Sequence, residues 1–187
     1  MYERVTAALG TRPPQISHGE MRQRQHDFCS KFESESHVAI IPNNPVAIRS
    51  GDTHHRHRFN SYLHYLTGWH GEGGVAVFYH DGDNWKCCLY VQPRDVKKEI
   101  WTGRRPGVEG ALADWPVDET MSRENLEQGL EGKLNGWIHS LPCLDNEVDE
   151  LIQNMTRFHA GMLLDDMRVI KSEAEIELMQ YSADLAA

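Results

Sequence analysis

Residues 58–69 constrain the fold most strongly, because a helix start, an apolar helix face and a helix end follow one another within this stretch. Asn60 or Ser61 can cap a short helix by accepting a hydrogen bond from an otherwise free backbone amide. Gly68 supplies the left-handed residue that commonly ends a helix. Residues 74–79 then form an apolar run typical of a central strand. The apolar face of the predicted helix consists of residues at i, i+1, i+3 and i+4: Tyr62, Leu63, Tyr65 and Leu66.

The rest of the first half is predicted to alternate helix and strand. Ser17 and Glu20 have the spacing of a capping box, which predicts a helix from about 18 to 34. Two β-like runs at 75–79 and 86–91 surround an Asp-Gly turn and predict a hairpin. The segments between are a strand at 37–41, a turn at 43–45, a further strand or sheet edge at 46–48, and a loop at 49–58.

The second half also alternates, which is typical of parallel strands covered by helices. Its predicted elements are a helix over 121–135, a strand over 137–141, a helix that starts at Asp145 and carries Phe158 on its apolar face, and a short strand at 162–164. Together the patterns predict an α/β fold, with a mixed five- to six-stranded sheet and helices on both faces.

Composition excludes several classes of protein. The formal net charge is −9, with 19 basic and 28 acidic residues, so a nucleic-acid binder or a binder of anionic membranes is not expected. No apolar run is long enough for a transmembrane helix. Residues 1–10 lack the apolar core of a signal peptide, and we therefore expect a cytoplasmic protein.

Cysteines and histidines give no convincing site. The four cysteines show no Cys-x-x-Cys spacing, and Cys87 and Cys88 would point to opposite faces of a strand. The histidines of one polar loop, His54, His55 and His57, have a single carboxylate nearby and no recognised metal-site spacing. We expect free buried thiols, solvated histidines and no metal ligand in this chain.

Three motifs resemble the aminopeptidase P (Xaa-Pro aminopeptidase) family, within the creatinase and prolidase group. The first is Phe-Asn-Ser-Tyr-Leu-His-Tyr-Leu-Thr-Gly-Trp at 59–69. The second is Glu-x-Trp-x-Gly-Arg-Arg at 99–105, in a segment that we interpret as a loop over 94–110. The third is Met-Arg-x-x-Lys-Ser-x-x-Glu-Ile at 167–176, which links two domains in that family and includes another capping box.

The resemblance covers only the non-catalytic half of the family's architecture. It implies a creatinase-like N-terminal domain of ribonuclease-H-like topology at 1–166. Residues 167–187 would be the linker and the start of a helix that leads to an absent catalytic domain. In that domain two divalent metal ions, usually manganese, would activate water to release the residue that precedes proline. No catalytic residue and no metal ligand would lie in this chain, which we expect to be an inactive fragment of a hydrolase.

The resemblance also gives three residues a role at the substrate entrance: Trp101, Arg104 and Arg105. Judged from the residues alone, Trp101 would be a packing anchor and the arginines a solvated turn. Similar proteins form dimers or tetramers and act on peptides with proline at the second position. The family's Asp-Trp-Arg-like segment reads Met-Leu-Leu-Asp-Asp at 162–166 and lacks the arginine, so that contact is not carried over.

Two other functions stay open at this point. The chain could be a stand-alone binding or assembly module that kept the fold without the enzyme. It could also be the N-terminal domain of a prolidase-type dipeptidase.

Overall fold

A six-stranded mixed sheet forms the centre of the protein. The computed structural model describes residues 13–134 and 136–186. The strands in this part of the chain are β1 (Val38–Pro42), β2 (Ile48–Ser50), β3 (Thr53–His54), β4 (Val75–His80), β5 (Trp85–Val91), β6 (Glu119–Ser122), β7 (Ile138–Ser140) and β8 (Arg157–His159).

The strands of the main sheet are ordered β6-β5-β4-β1-β7-β8, and β2 and β3 form a separate small hairpin. Strands β1, β4 and β5 are antiparallel neighbours, with Ala39 opposite Phe78 and Val77 opposite Cys88. Strands β6, β7 and β8 each join their neighbour in parallel. The predicted mixed sheet is therefore confirmed, and the predicted hairpin at 75–91 lies within it.

Helices cover both faces of the sheet, as the sequence predicts. The described helices are α1 (His18–Cys29), α2 (Ser61–Thr67), α3 (Val96–Thr102), α4 (Gly107–Asp114), α5 (Leu126–Leu130), α6 (Asn146–Leu151), α7 (Ala160–Val169) and α8 (Glu173–Ala186). Helices α1, α2, α4 and α7 contribute buried residues to the core on one face, and α5 and α6 to the core on the other.

Strand β5 contributes alternate side chains to the two hydrophobic cores, one on each face of the sheet. Cys87 and Leu89 lie in the core on the α1 face, whereas Cys88 and Tyr90 lie in the core on the α5 face. Successive side chains of a strand point to opposite sides, so a nearly continuous apolar run is required where both sides are buried. The predicted opposite orientation of the two adjacent cysteines is confirmed.

The aromatic helix α2 matches its prediction residue by residue. Asn60 is the N-cap, and its side-chain oxygen accepts hydrogen bonds from the amides of Tyr62 and Leu63 at 2.9 and 3.1 Å. Gly68 ends the helix with a φ of 72°. Leu63 and Leu66 are fully buried, so this short helix is held by packing rather than by its own length.

Several predicted elements in the second half are wrong. The helix predicted over 121–135 is reduced to α5, preceded by strand β6 and a 3₁₀ turn at Arg123–Asn125. The helix that starts after Asp145 ends at Leu151, and Phe158 lies in strand β8 instead. The strand predicted at 162–164 is part of helix α7. In the first two cases the sheet extends by pairing with a distant strand, a signal that local periodicity does not carry.

The first half needs smaller corrections. Helix α1 ends at Cys29 rather than near residue 34. The segment interpreted as a loop at 49–58 contributes to the β2–β3 hairpin, which lies outside the main sheet. The segment interpreted as a loop at 94–110 contains α3 and the start of α4, because Asp95 caps α3 by accepting from the amides of Lys97 and Lys98.

A partly buried polar lock joins α8 to α1. The predicted capping box is confirmed, since the Ser172 hydroxyl accepts from the Glu175 amide and the Glu175 carboxylate accepts from the Ser172 amide. Ser172 also donates to Glu20 at 2.7 Å. The Arg24 guanidinium contacts both carboxylates and lies 4.1 Å from the centre of the Tyr65 ring. Buried charges need such pairing, so the lock fixes the start of α8.

No helix in the described ranges is long and apolar enough to cross a membrane. The predictions made for residues 1–10 lie outside the part of the chain that the structure describes.

Two histidines pack into an aromatic cluster at the β1–β7 edge of the core. His37 Nδ1 lies 3.1 Å from His139 Nε2, and both side chains are buried. The His139 ring stacks on Phe32 with centroids 4.4 Å apart and lies 5.3 Å from Phe158. Burial, with a smaller contribution from His37, lowers the pKa of His139 to about 4. The cluster therefore accommodates a neutral His139.

This cluster should make the protein less stable in mild acid. The unfolded chain binds a proton on His139 near pH 6.5, whereas the folded protein resists protonation until about pH 4. The contribution of His139 is complete above pH 6.5 and is lost as the pH falls toward 4, at a cost of roughly 1–3 kcal/mol. We expect His139→Phe to reduce the difference in unfolding free energy between pH 7.5 and 4.5, as measured by urea denaturation.

His55→Gln is the matched control, because His55 lies exposed beside the β2–β3 hairpin. An unchanged pH dependence in His139→Phe, alongside the same result in the control, would contradict this account of the cluster.

Candidate functional site

The segment that carries Trp101, Arg104 and Arg105 is built on helix α3 and the residues at 103–107 after it, a four-residue loop and the first residue of α4. The Arg94 guanidinium donates two hydrogen bonds to the Glu99 carboxylate, at 3.2 and 2.9 Å. The Asp95 amide donates to the same carboxylate at 3.2 Å. These hydrogen bonds, Arg94 first among them, hold the pKa of Glu99 below its usual range. Glu99 therefore stays ionised and connects helix α3 to Arg94 and Asp95, the residues that precede it.

Gly107 closes the loop against the same arginine. Its φ is 70°, and a Cβ atom at this position would lie 2.6 Å from Arg94 Cγ. An L-residue would meet both the unfavourable backbone conformation and this contact. The backbone at 103–107 is thus folded back onto Arg94.

Arg104 and Arg105 line a groove of about 260 Å³, whereas Trp101 does not. The groove lies between residues 102–106 and residues 69–72, and the latter lead into the glycine-rich turn at 71–74. Trp101 lies on α3 and is 88% exposed. Val96 and Ile100 on the same helix are also largely exposed, so α3 presents an apolar surface to solvent. The structure therefore divides the three predicted entrance residues between a groove and an adjacent apolar helix.

The opposite wall of the groove is held by tryptophan packing. Trp69 Nε1 donates to the carbonyl of Gly73 at 3.0 Å. The Trp69 ring packs on Trp115 with centroids 4.8 Å apart, and Trp115 Nε1 donates to the carbonyl of Gly68. A Cβ atom at Gly74 would lie 2.5 Å from Trp69 Nε1, so a larger residue would break this contact. The indole thus fixes the turn that forms the wall.

Asn43 connects this wall to the sheet and to helix α2. Its side-chain amide donates to the carbonyls of Gly71 and Gly73 at 2.8 and 2.6 Å. Its side-chain oxygen accepts from the amides of Asn44 and Asn60 at 2.9 and 2.7 Å. Sequence reasoning interpreted this residue as part of a turn and missed its role. The available signal was a polar residue directly after a fully apolar strand, where a buried amide must find partners.

The three histidines of the loop at 49–58 also differ in their positions. His54 and His55 are exposed, while His57 lines the groove with its Nε2 atom 3.4 Å from Asn43 Nδ2. In residues 13–134 and 136–186, no three His, Cys, Asp or Glu side chains are grouped so that they could hold a metal ion. The described residues therefore do not fit a metal centre.

The buried cysteines are poor candidates for thiol chemistry. Burial, with a smaller effect of Asp118, raises the pKa of Cys29 to about 12. Burial also raises the pKa of Cys88 to about 11, and raises that of Cys87 as well. The thiolate is the reactive form, so these groups stay inert at neutral pH. All four cysteines are free, and Cys143 is exposed.

The described lining of the groove is rich in polar and charged side chains. It includes two guanidinium groups and the Gln92 amide, and Glu72 is its single carboxylate. It includes neither a cysteine nor a serine, and the described residues provide no metal site. Such a lining recognises a polar or negatively charged group.

The family of the chain follows from comparison with known proteins. The model of the aminopeptidase P N-terminal domain matches residues 21–139. The chain belongs to this family. The match extends from helix α1 to strand β7 and so includes both walls of the groove.

Several similar proteins are Xaa-Pro aminopeptidases. That of Haemophilus influenzae is 30% identical over 146 residues, which cover 74% of this chain and 34% of the relative. That of Escherichia coli is 26% identical over 193 residues, covering 92% of this chain and 43% of the relative. Xaa-Pro aminopeptidase 3 of Dictyostelium discoideum is 28% identical over 177 residues, covering 89% and 34%. The chain thus spans less than half the length of these relatives.

Solved structures agree with this placement. Zinc-substituted E. coli aminopeptidase P in complex with product superposes with a TM-score of 0.78 at 26% identity, covering 87% of this chain and 41% of that one. Proline aminopeptidase P II from Yersinia pestis gives a TM-score of 0.77 at 27% identity, covering 86% and 41%. These matches support the α/β fold described above.

Removal of the Asn43 side chain should destabilise the whole site. Asn43→Ala leaves the amides of Asn44 and Asn60 and the two glycine carbonyls without this partner. Unpaired buried polar groups are costly, so we expect a loss of about 2–4 kcal/mol in the free energy of unfolding. Urea denaturation measures this loss.

Asn44→Ala is the matched control, because Asn44 is only half-buried and makes fewer of these contacts. Equal losses in the two variants would contradict the central role of Asn43.

Proposed function

We propose that this chain is the N-terminal, non-catalytic part of a metal-dependent Xaa-Pro aminopeptidase. The observation that carries the proposal is the family match across residues 21–139, together with relatives of that activity that are more than twice as long as the matched region. Across the described parts of the chain, no group of three His, Cys, Asp or Glu side chains could hold a metal ion. In our proposal cleavage is performed by a further domain, which holds two divalent metal ions, namely manganese.

In this proposal residues 1–166 form the domain, and 167–187 lead from it toward the catalytic part. The full-length hydrolase is a cytoplasmic homo-oligomer, a dimer or a tetramer. It releases the residue that precedes proline from the N-terminus of peptides. The lock between α1 and α8 supports this organisation, because it fixes the direction in which the chain leaves the domain.

The domain's own contribution is assembly and the shape of the entrance. Trp101, Val96 and Ile100 expose apolar surface on one short helix, at 88, 72 and 76%. Exposed apolar patches commonly mark contact surfaces. In our proposal Trp101 packs against a neighbouring subunit or the bound peptide and excludes water from the entrance, while Arg104 and Arg105 line the approach.

The first test is the native gene product, detected in source cells with an antibody against this domain. We expect a band at about twice the 21.4 kDa of this chain or more. The immunoprecipitated protein, supplied with manganese, should release the first residue of an Ala-Pro-Gly peptide and leave Ala-Ala-Gly intact. A chelator should abolish release, and the 187-residue chain alone should show none.

A native product near 21 kDa without peptidase activity would overturn the proposal and favour a stand-alone binding module. Activity confined to dipeptides would instead favour a prolidase-type enzyme.

Trp101→Ala in the full-length protein tests the role of the exposed helix. We expect kcat/KM for the Ala-Pro-Gly peptide to fall about 10-fold, because the entrance loses its apolar wall. The unfolding free energy of the domain should change by less than ~0.5 kcal/mol, since Trp101 makes little contact with the folded chain.

Leu112→Ala is the matched control, because Leu112 is an exposed apolar residue of α4 that does not line the groove. Unchanged kinetics in Trp101→Ala would remove the proposed role. A change in both kinetics and measured oligomer mass would place the contact between subunits.

A further inference from the structure

Two arginines that line the groove, Arg104 and Arg105, have no acidic partner among the described residues. Neither Arg104 nor Arg105 forms an ion pair with any residue of 13–134 or 136–186, although the chain carries 28 acidic residues and a net charge of −9. Glu72 is the single carboxylate in the described lining, and it is exposed. The charge is available for a ligand.

The groove also has hydrogen-bond donors without a described partner. The carbonyl of Gly71 accepts from Asn43, and that of Gly73 accepts from both Asn43 and Trp69. These acceptors already have partners, whereas the two guanidinium groups and the Gln92 side-chain amide donate no hydrogen bond within the described ranges. A ligand that enters the groove therefore meets these donors, which can bind an acceptor, beside the carboxylate of Glu72.

The backbone that carries the two arginines is also held in position. The Glu99 carboxylate anchors the segment through Arg94, and the close approach of Gly107 to Arg94 fixes the far end of the loop. A guanidinium can bind both oxygens of a carboxylate through two parallel hydrogen bonds. Anchoring of the backbone reduces part of the entropy lost when a ligand binds.

We propose that this groove is a subsite for the carboxylate of a peptide ligand, bound by Arg104 and Arg105. The peptide nature of the ligand rests on the proposed function, whereas the carboxylate follows from the charge and donors of the groove. At about 260 Å³ the groove accommodates roughly one residue rather than a long segment. The carboxylate belongs either to the C-terminus of a short peptide or to an acidic side chain.

A titration of the 187-residue chain tests the subsite directly. Backbone amide shifts of Gly71, Gly73 and Gly103 are followed by NMR as three peptides are added. These are Ala-Pro-Gly-Gly with a free C-terminus, Ala-Pro-Glu-Gly amide, and Ala-Pro-Gly-Gly amide as the neutral reference. We expect at least one carboxylate peptide to bind in the millimolar range and at least 10-fold more tightly than the reference. Binding should weaken in 0.5 M NaCl, as expected for exposed charges.

The Arg104→Gln/Arg105→Gln double variant should lose about 10-fold in affinity for that peptide. Its matched control is Arg49→Gln/Arg157→Gln, which removes the same charge from two exposed arginines outside the groove. Urea denaturation of both variants checks that each is folded.

The two carboxylate peptides show whether the groove prefers the carboxylate of a C-terminus or that of an acidic side chain. Preference for the free C-terminus indicates recognition of short peptides, and preference for the glutamate peptide indicates selection of acidic sequence. Equal binding of the neutral amide, or equal loss in the two double variants, overturns the subsite. The titration uses no catalysis, so a failed peptidase assay with retained carboxylate binding would reject the proposed function alone.

Discussion

The side chain of Asn43 is the contact on which the arrangement of the site depends. It lies at the end of β1, a strand buried on both faces, and it connects three segments that are distant in sequence. An amide has two donor hydrogens and an oxygen with two lone pairs. Here the hydrogens go to the turn that forms one wall of the groove, and the oxygen holds the amide of the residue that caps α2. The sheet thereby sets the position of both the helix and the turn.

The sequence predicts the parts of the fold that depend on local interactions. Helix α2 has its cap, apolar face and terminal glycine within one short segment, and the β4–β5 hairpin has its turn residues between two apolar runs. Strands β6 and β8 have four and three residues and form only by pairing with β5 and β7. The leucines of 126–134 and the apolar residues of 148–158 show helical spacing, so local periodicity assigned both neighbouring segments to helices.

In the candidate site, too, the sequence predicted the local features but not the contacts between distant segments. The motif at 99–105 identified the segment, and the glycines within and after it explain why it folds back onto Arg94. The interpretation of this segment as a loop missed the capping signal of Asp95, which starts the helix α3 on which Trp101 lies, outside the lining of the groove. The sequence also carried no sign that His57 and the turn at 71–74 meet the arginines, since those contacts depend on the tertiary fold.

The lock between α1 and α8 holds the last helix at its first turn, so a small rotation there moves the far end of the helix much further. Its 14 residues have no buried member, and the contacts of Ser172 and Glu175 lie at its first turn. A helix of this length extends about 21 Å from that point. A rotation of about 5° at the lock would therefore move the far end by roughly 2 Å. A small rearrangement around Arg24 is thus amplified along α8, and anything attached to its far end would be displaced by a distance comparable to a bond length or more.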